Sequence, residues 1–362
     1  MRDEAGAFMN SENKETPPEE PSLDELHDVP PPLLSQIFPA LAVPRGLGTA
    51  ELTLGKERLQ AGIIEFNGLR WINIEQPGNA EITWLEQKFK INHLHLEDFT
   101  SYFQRPKLDD FEDYLFIVLH FPFQQKAERT LVPCEIDFVL GADYVITVHD
   151  GRLPPLKKLF ENCRADPSRC KGIMGRSAAF LLYSIIDVLV DYCFPIINSY
   201  SEKLELIDEE IFKSSSKKTV YYISTLRREI IAFRRIIKPQ IAIIANLGRR
   251  RQINETEHLE GYFSDLSDHI SKIWDSLEEF KDIIEGLSAT YDSLTSHRLN
   301  QIIKTLTIIS VVLMPMTLVS SIYGMNVPLP FQEHAPSFWV LMIVMIITGI
   351  GLILFFRSRR WL

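Results

Sequence analysis

Two periods of hydrophobicity divide the chain. Between about residues 46 and 175, short apolar runs with a strand-like period of two recur between helical stretches. Gly62-Ile63-Ile64-Glu65-Phe66 and Arg70-Trp71-Ile72-Asn73-Ile74 flank Asn67-Gly68, a pair suited to a two-residue hairpin turn. Tyr114–Leu119 and Glu135–Leu140 are apolar enough for inner strands, and Tyr144–Val148 follows a Gly-Ala-Asp turn. A compact α/β domain without repeats is expected here. From residue 176 onward the period is helical. Residues 178–196 are strongly apolar, and 200–246 alternate apolar and charged faces, so 176–255 reads as a helical region. The next helix is expected to begin near Thr256, with Asn254 as its cap. Leu259, Phe263, Leu266, Ile270, Ile273, Leu277, Phe280, Ile284, Leu287, Tyr291 and Leu294 then step by three and four without a break. No proline intervenes before Pro315, so one long stalk helix is expected over 256–322.

Two late segments, Leu306–Ile322 and Phe338–Phe356, contain no charged residue. Each is near the roughly 20 residues needed to cross a hydrocarbon core. Arg298 and Lys304 precede the first; Arg357, Arg359 and Arg360 follow the second; the loop between them has no Lys or Arg. That bias predicts a multi-pass protein of the cell membrane, with the 323–337 loop outside and both ends, including the basic tail 357–362, in the cytoplasm. Residues 1–45, rich in acidic residues, Ser and Pro, are expected to be a disordered tail. The first residues show no apolar leader, so insertion is expected to be directed by the C-terminal helices.

The two apolar segments differ in kind. The second is a nearly uniform run of Val, Leu, Met and Ile. In the first, Asn300, Ile303, Thr307, Ser310, Met314, Thr317 and Ser321 recur every three or four residues and share a face. Followed backward, that face continues through Ser296, Ser293, Ala289 and Gly286, roughly opposite the apolar stripe. Such a helix suits a symmetric ring around an aqueous axis, or a close contact between helices of small residues.

Composition sharpens this. The net charge of −10 disfavours a nucleic-acid partner, which needs a basic surface, and suits a surface that collects cations. The four cysteines, Cys134, Cys163, Cys170 and Cys193, form no CxxC pair, so buried reduced thiols are expected. No P-loop, HExxH, nucleophile elbow or dinucleotide fingerprint occurs, which argues against an enzyme.

Immediately after the first apolar segment stands Tyr323-Gly324-Met325-Asn326, which resembles the signature of CorA-type magnesium channels in the place where that family has it. Asn300 through Asn326 resembles the family's pore helix without a gap. Leu96-Glu97-Asp98 with Gln104-Arg105-Pro106-Lys107, Leu181-Leu182-Tyr183-Ser184 through Asp187 and Asp191, and the C-terminal Arg-Arg-Trp-Leu resemble other parts, so the likeness covers roughly 60–362. It implies an α+β chain: a cytosolic domain, a long stalk and two membrane helices in a funnel-shaped homopentamer. The implied function is influx of hydrated Mg²⁺, with Co²⁺ and Ni²⁺ as further candidate ions. Gly324, Met325 and Asn326 would form the selectivity filter, Gly324 letting the backbone turn tightly and Met325 packing to hold the turn. Asn300, Ser310, Thr317 and Ser321 would line the pore, with Ile303, Leu306 and Met314 as an apolar constriction that gates by dewetting. Asp98 of one subunit and Asp265 of the next would hold a regulatory Mg²⁺, with Glu97 and Asp187 nearby.

Three features depart from that pattern. The outer loop Val327–Pro336 has Glu333 as its one acid, beside His334. Ala289 stands where an acidic ring is expected, with Asp282, Glu285 or Asp292 as substitutes. His93 and His95 would share one face of a strand, which opens a zinc option. The alternatives are therefore a zinc/proton transporter of the related ZntB type, or a membrane-anchored divalent-ion sensor that conducts nothing.

Overall fold

The structure, a computed structural model, describes residues 53–54, 57–58, 61–101, 103–125, 130–213, 217–250, 253, 258–325, 336–359 and 361. The expected tail over 1–45, and Asn254 and Thr256 at the expected start of the stalk, lie outside them. The chain divides into two compact units, Met1–Glu285 and Gly286–Leu362.

The first unit is built on a mixed sheet. After a short pair, β1 (Thr53–Leu54) and β2 (Glu57–Arg58), come β3 (Ala61–Phe66) and β4 (Leu69–Glu75), then helices α1 (Asn79–Lys88) and α2 (His93–Asp98). Strands β5 (Lys107–Asp110), β6 (Leu115–Gln125), β7 (Thr130–Leu140) and β8 (Tyr144–His149) complete a six-stranded sheet of order β3-β4-β8-β7-β6-β5. Only the β4–β8 pair is parallel. The β3–β4 hairpin turns as expected: Asn67 and Gly68 have φ of 52° and 83°, the left-handed pair that a tight twisted hairpin requires.

Helices α1 and α2 cover one sheet face, where Ile72, Ile74, Phe116, Val118, Val139 and Ile146 meet Trp84, Leu85, Leu96 and Phe99. The other face packs on α3 (Pro154–Ala165), α5 (Ala178–Asp191) and α7 (Lys217–Leu247), while α4 (Pro167–Met174) lies against β3, α3 and α5. Trp71 is fully buried there, its ring edge-on to Phe160 at 5.0 Å and its Nε1 donating to Thr147 Oγ1 at 3.2 Å. All four cysteines are buried and free, as expected for idle thiols.

Helix α6 (Cys193–Lys213) follows α5, and helix α8 runs from Glu260 to Tyr323 as one element of 64 residues. At its start the predicted stripe is real: Leu259, just before the helix, and Leu266, Ile270, Ile273, Leu277 and Ile284 within it are fully buried. Partners on the same chain cover it. Tyr183 of α5 packs on Phe263, and Phe194 of α6 packs on His269. Arg234 of α7 ion-pairs with Glu278 and lies 5.2 Å from the Trp274 ring.

The second unit holds the rest of α8 and helix α9 (Ser337–Ser358). Ile308 is buried and Val312, Met316 and Val319 are half-buried, a stripe of spacing three and four. Leu341, Met345, Gly349, Leu352 and Phe356 form the matching stripe on α9. Met316 reaches the α9 backbone at Gly349, where any Cβ would overlap its Cε.

Among the described residues, three stretches are long and apolar enough to cross a membrane: Ala178–Lys213, Glu260–Tyr323 and Phe338–Ser358. In the first, 44% of the apolar window is buried inside the unit, against 6% in each of the others, so packing on the sheet already accounts for its hydrophobicity.

Candidate cation sites and the membrane helix

Helix periodicity builds the strongest cluster. Asp187 and Asp191 stand one turn apart on α5, and Asp265 and His269 one turn apart on α8. Ligand atoms of Asp187, Asp191 and His269 all lie within 4.8 Å of one another. His269 Nε2 is 3.9 Å from Asp265 Oδ1. Burial raises the Asp187 carboxyl above its usual range, and the neighbouring Asp191 adds to this while His269 opposes it. Burial likewise raises Asp191. The Tyr183 hydroxyl, pushed up to about 12 by burial and then by Asp187, stays protonated and donates to Asp187. Crowded, partly desolvated carboxylates with one imidazole are what a divalent cation neutralises.

Of the predicted regulatory residues, Asp187 and Asp265 thus come together, and Glu97 and Asp98 belong to a second group. Asp98, at the end of α2, accepts from Lys107 Nζ on its Oδ2 at 2.7 Å. Glu97 is exposed and 3.5 Å from His93. Sequence reasoning missed Asp191 and His269 as members of the first cluster. Their i, i+4 spacing from Asp187 and Asp265 was the available signal.

The two-histidine strand is corrected. Residues 93–98 are helical because Asn92 caps them, its side chain accepting from Leu94 N at 2.9 Å. On a helix, positions two apart diverge by about 200°. His93 is exposed, whereas His95 is buried, stacked on Phe116 at 4.0 Å and bonded to Tyr114 Oη at 2.9 Å. The pair cannot ligate one zinc ion.

On α8, Asn300, Ile303, Leu306, Thr307, Ser310, Met314, Thr317 and Ser321 are all exposed on the single chain, away from the stripe that matches α9. Thr307, Ser310 and Thr317 donate to the carbonyls of Ile303, Leu306 and Leu313 at 2.8, 2.9 and 3.0 Å. Each hydroxyl proton is thereby committed, and the oxygen lone pairs remain free to accept.

The helix closes with Gly324 N donating to Ser320 O at 3.0 Å and Met325 N to Ile322 O at 3.2 Å. Gly324 does not take the left-handed conformation; its missing Cβ instead avoids a 3.3 Å approach to Ser320 O. Met325 is 55% exposed on the single chain. Asn326, Glu333 and His334 lie outside the described residues. Of the substitutes for Ala289, Asp282 and Glu285 share Lys281 at 2.7 and 3.5 Å.

Residues 66–360 match the family described as CorA-like Mg²⁺ transporter protein, which is most of the chain. The chain belongs to that CorA family. It is 30% identical over 295 residues to the cobalt/magnesium transport protein CorA of Thermotoga maritima, covering 81% of this chain and 83% of that one. It is 28% identical over 292 residues to the putative metal ion transporter YfjQ of Bacillus subtilis, covering 80% and 89%. The complete structure of the CorA magnesium transporter from Methanocaldococcus jannaschii superposes with a TM-score of 0.72 at 21% identity, covering 83% of this chain and 94% of that one. The CorA fold and a place among membrane transporters of divalent cations, and not among enzymes, follow for this chain.

Proposed function

We propose that this CorA protein is a homopentameric channel that carries hydrated Mg²⁺ into the cell. Its spans are the end of α8 and α9, with both termini cytoplasmic and the 323–337 loop outside. The observation that carries the reading is one unbroken helix: α8 holds Asp265 and His269 of the acidic cluster and, further on, the exposed hydroxyl face. A helix shared by a cation-binding cluster and a polar membrane face gives a direct way for bound metal to bias a conducting path.

Mg²⁺ sheds its water reluctantly, so neutral acceptor oxygens that bond to its hydration shell suit it better than carboxylates that strip it. Five copies of Asn326 would supply amide oxygens at the outer mouth, beside Gly324 and Met325. Thr317, Ser310 and Asn300 would add deeper rings, and Ile303, Leu306 and Met314 an apolar gate. An inside-negative potential favours entry by about 4.6 kcal/mol per 100 mV for two charges.

Cytosolic Mg²⁺ closes the channel by neutralising Asp187, Asp191 and Asp265, beside His269, on one subunit and Asp98 and Glu97 on its neighbour. Loss of metal restores repulsion among these carboxylates and loosens the ring.

The test is reconstitution of the full chain in liposomes under an imposed potential. Mg²⁺ uptake blocked by cobalt hexammine, a mimic of the hydrated ion, is the expected result. Zn²⁺ movement coupled to a proton gradient would replace the proposal with a zinc transporter. An intact pentamer that moves no divalent ion would replace it with a sensor.

A further inference from the structure

The Asp98 carboxylate already holds a cation that belongs to the chain. Lys107 Nζ sits 2.7 Å from Asp98 Oδ2 and 3.3 Å from Asp109 Oδ2, and 5.0 Å from the centre of the Phe116 ring. Local structure fixes this cradle. Asp98 ends α2, whereas Lys107 and Asp109 are alternate residues of β5, paired to Val118 and Phe116, so their side chains share the sheet face that α2 covers. Burial alone would lower the Lys107 pKa, but bonds to Asp98 and Asp109 outweigh it and raise the pKa, so the ammonium stays charged. Asp109 has a second neighbour in His95 Nε2 at 3.4 Å.

We propose that Lys107 is a tethered competitor that sets the divalent-ion affinity of Asp98, moving onto Asp109 when the metal arrives. This rests on the reading of Asp98 as a regulatory ligand. An ammonium at 2.7 Å occupies one carboxylate oxygen and repels an incoming dication. Asp109 gives the displaced ammonium a second perch, so Lys107 is not left buried without a partner. The cation threshold of the site is then set by exchange between two positive charges, one of them fixed to the chain.

The experiment is limited proteolysis of the full-length protein in detergent across a MgCl₂ series, read as the Mg²⁺ concentration that gives half protection. Lys107→Met and Lys107→Gln are expected to lower that midpoint roughly tenfold. Asp109→Asn should raise it in the parent and leave it unchanged in Lys107→Met, because the effect runs through the lysine. An unchanged midpoint in both lysine variants, or an Asp109→Asn effect that survives in Lys107→Met, overturns the proposal. Should neither neutral variant fold, Lys107→Arg decides: its permanent fork should raise the midpoint, and a fall or no change overturns the proposal. Asp98→Asn separates the two layers. If it leaves protection as in the parent, the regulatory reading itself fails. If it abolishes protection while the lysine variants do nothing, only the competitor is lost.

Discussion

The side-chain amide of Gln240 closes both backbone groups of His120. Its Oε1 accepts from His120 N at 3.1 Å, and its Nε2 donates to His120 O and to Ile236 O at 2.8 Å. The need is topological. Strand β5 reaches only as far as Val118 on β6, so the next outward-facing backbone groups have no strand partner. A fully buried glutamine from α7 takes that place. Gln240→Leu is expected to destabilise the protein by about 2–4 kcal/mol, since two buried backbone groups lose their partners. Thermal or denaturant unfolding measures this; a loss below half a kcal/mol would show that water substitutes for the amide.

Gly349 and Met316 make a comparable pair in the second unit. Because a Cβ at Gly349 meets Met316 Cε, Gly349→Val should lower the detergent-solubilised melting temperature, and adding Met316→Ala should restore much of it. Additive losses in the double variant would separate the two positions.

Much of this architecture is legible in the chain. Asn67-Gly68 announces its hairpin, because few other pairs tolerate two left-handed residues. The stripe from Leu259 to Ile284 announces a helix buried along one side, though not that α5, α6 and α7 of the same chain cover it. His93 and His95 mislead because Asn92 starts a helix where alternation suggests a strand. Asp191 and His269 go unnoticed because their meeting depends on tertiary packing, and only each helix's own spacing is written locally.

The cation cluster should discriminate among metals. Asp265→Lys is expected to weaken Mg²⁺ protection of the cytosolic region from protease. His269→Ala should raise the protective concentration of Ni²⁺ by about tenfold and that of Mg²⁺ far less, because imidazole suits the transition ion and carboxylate oxygen the hard one. Equal shifts for both metals would remove His269 from the ligand set.

For permeation, Asn326→Ala should abolish selective Mg²⁺ flux while the protein elutes at the parent's oligomeric size. Normal flux in that variant would move the filter elsewhere.

A pH effect follows from His149. Its Nε2 donates to Asn73 Oδ1 at 2.9 Å and its Nδ1 accepts from Gly151 N at 3.0 Å, so the ring is held neutral, and burial depresses its pKa to about 4. The unfolded chain takes up this proton below about pH 6.5 and the folded one only near 4. Stability is therefore lost as pH falls through that window, by about 2 kcal/mol between neutrality and pH 5. His149→Gln should flatten that part of the melting-temperature profile; an identical fall in parent and variant would assign the loss to other groups.

The committed hydroxyl protons of Thr307, Ser310 and Thr317 have a consequence for the sign of charge that such a wall admits. With each O–H turned onto its own backbone, chloride or phosphate meets no donor from them, while a water-clad metal meets only electron pairs. From Thr305 to Ile322 the helix has nothing to ionise at physiological acidity. If this face lines the conducting path as proposed, discrimination against anions along it needs no fixed charge, and acidifying either compartment leaves it intact.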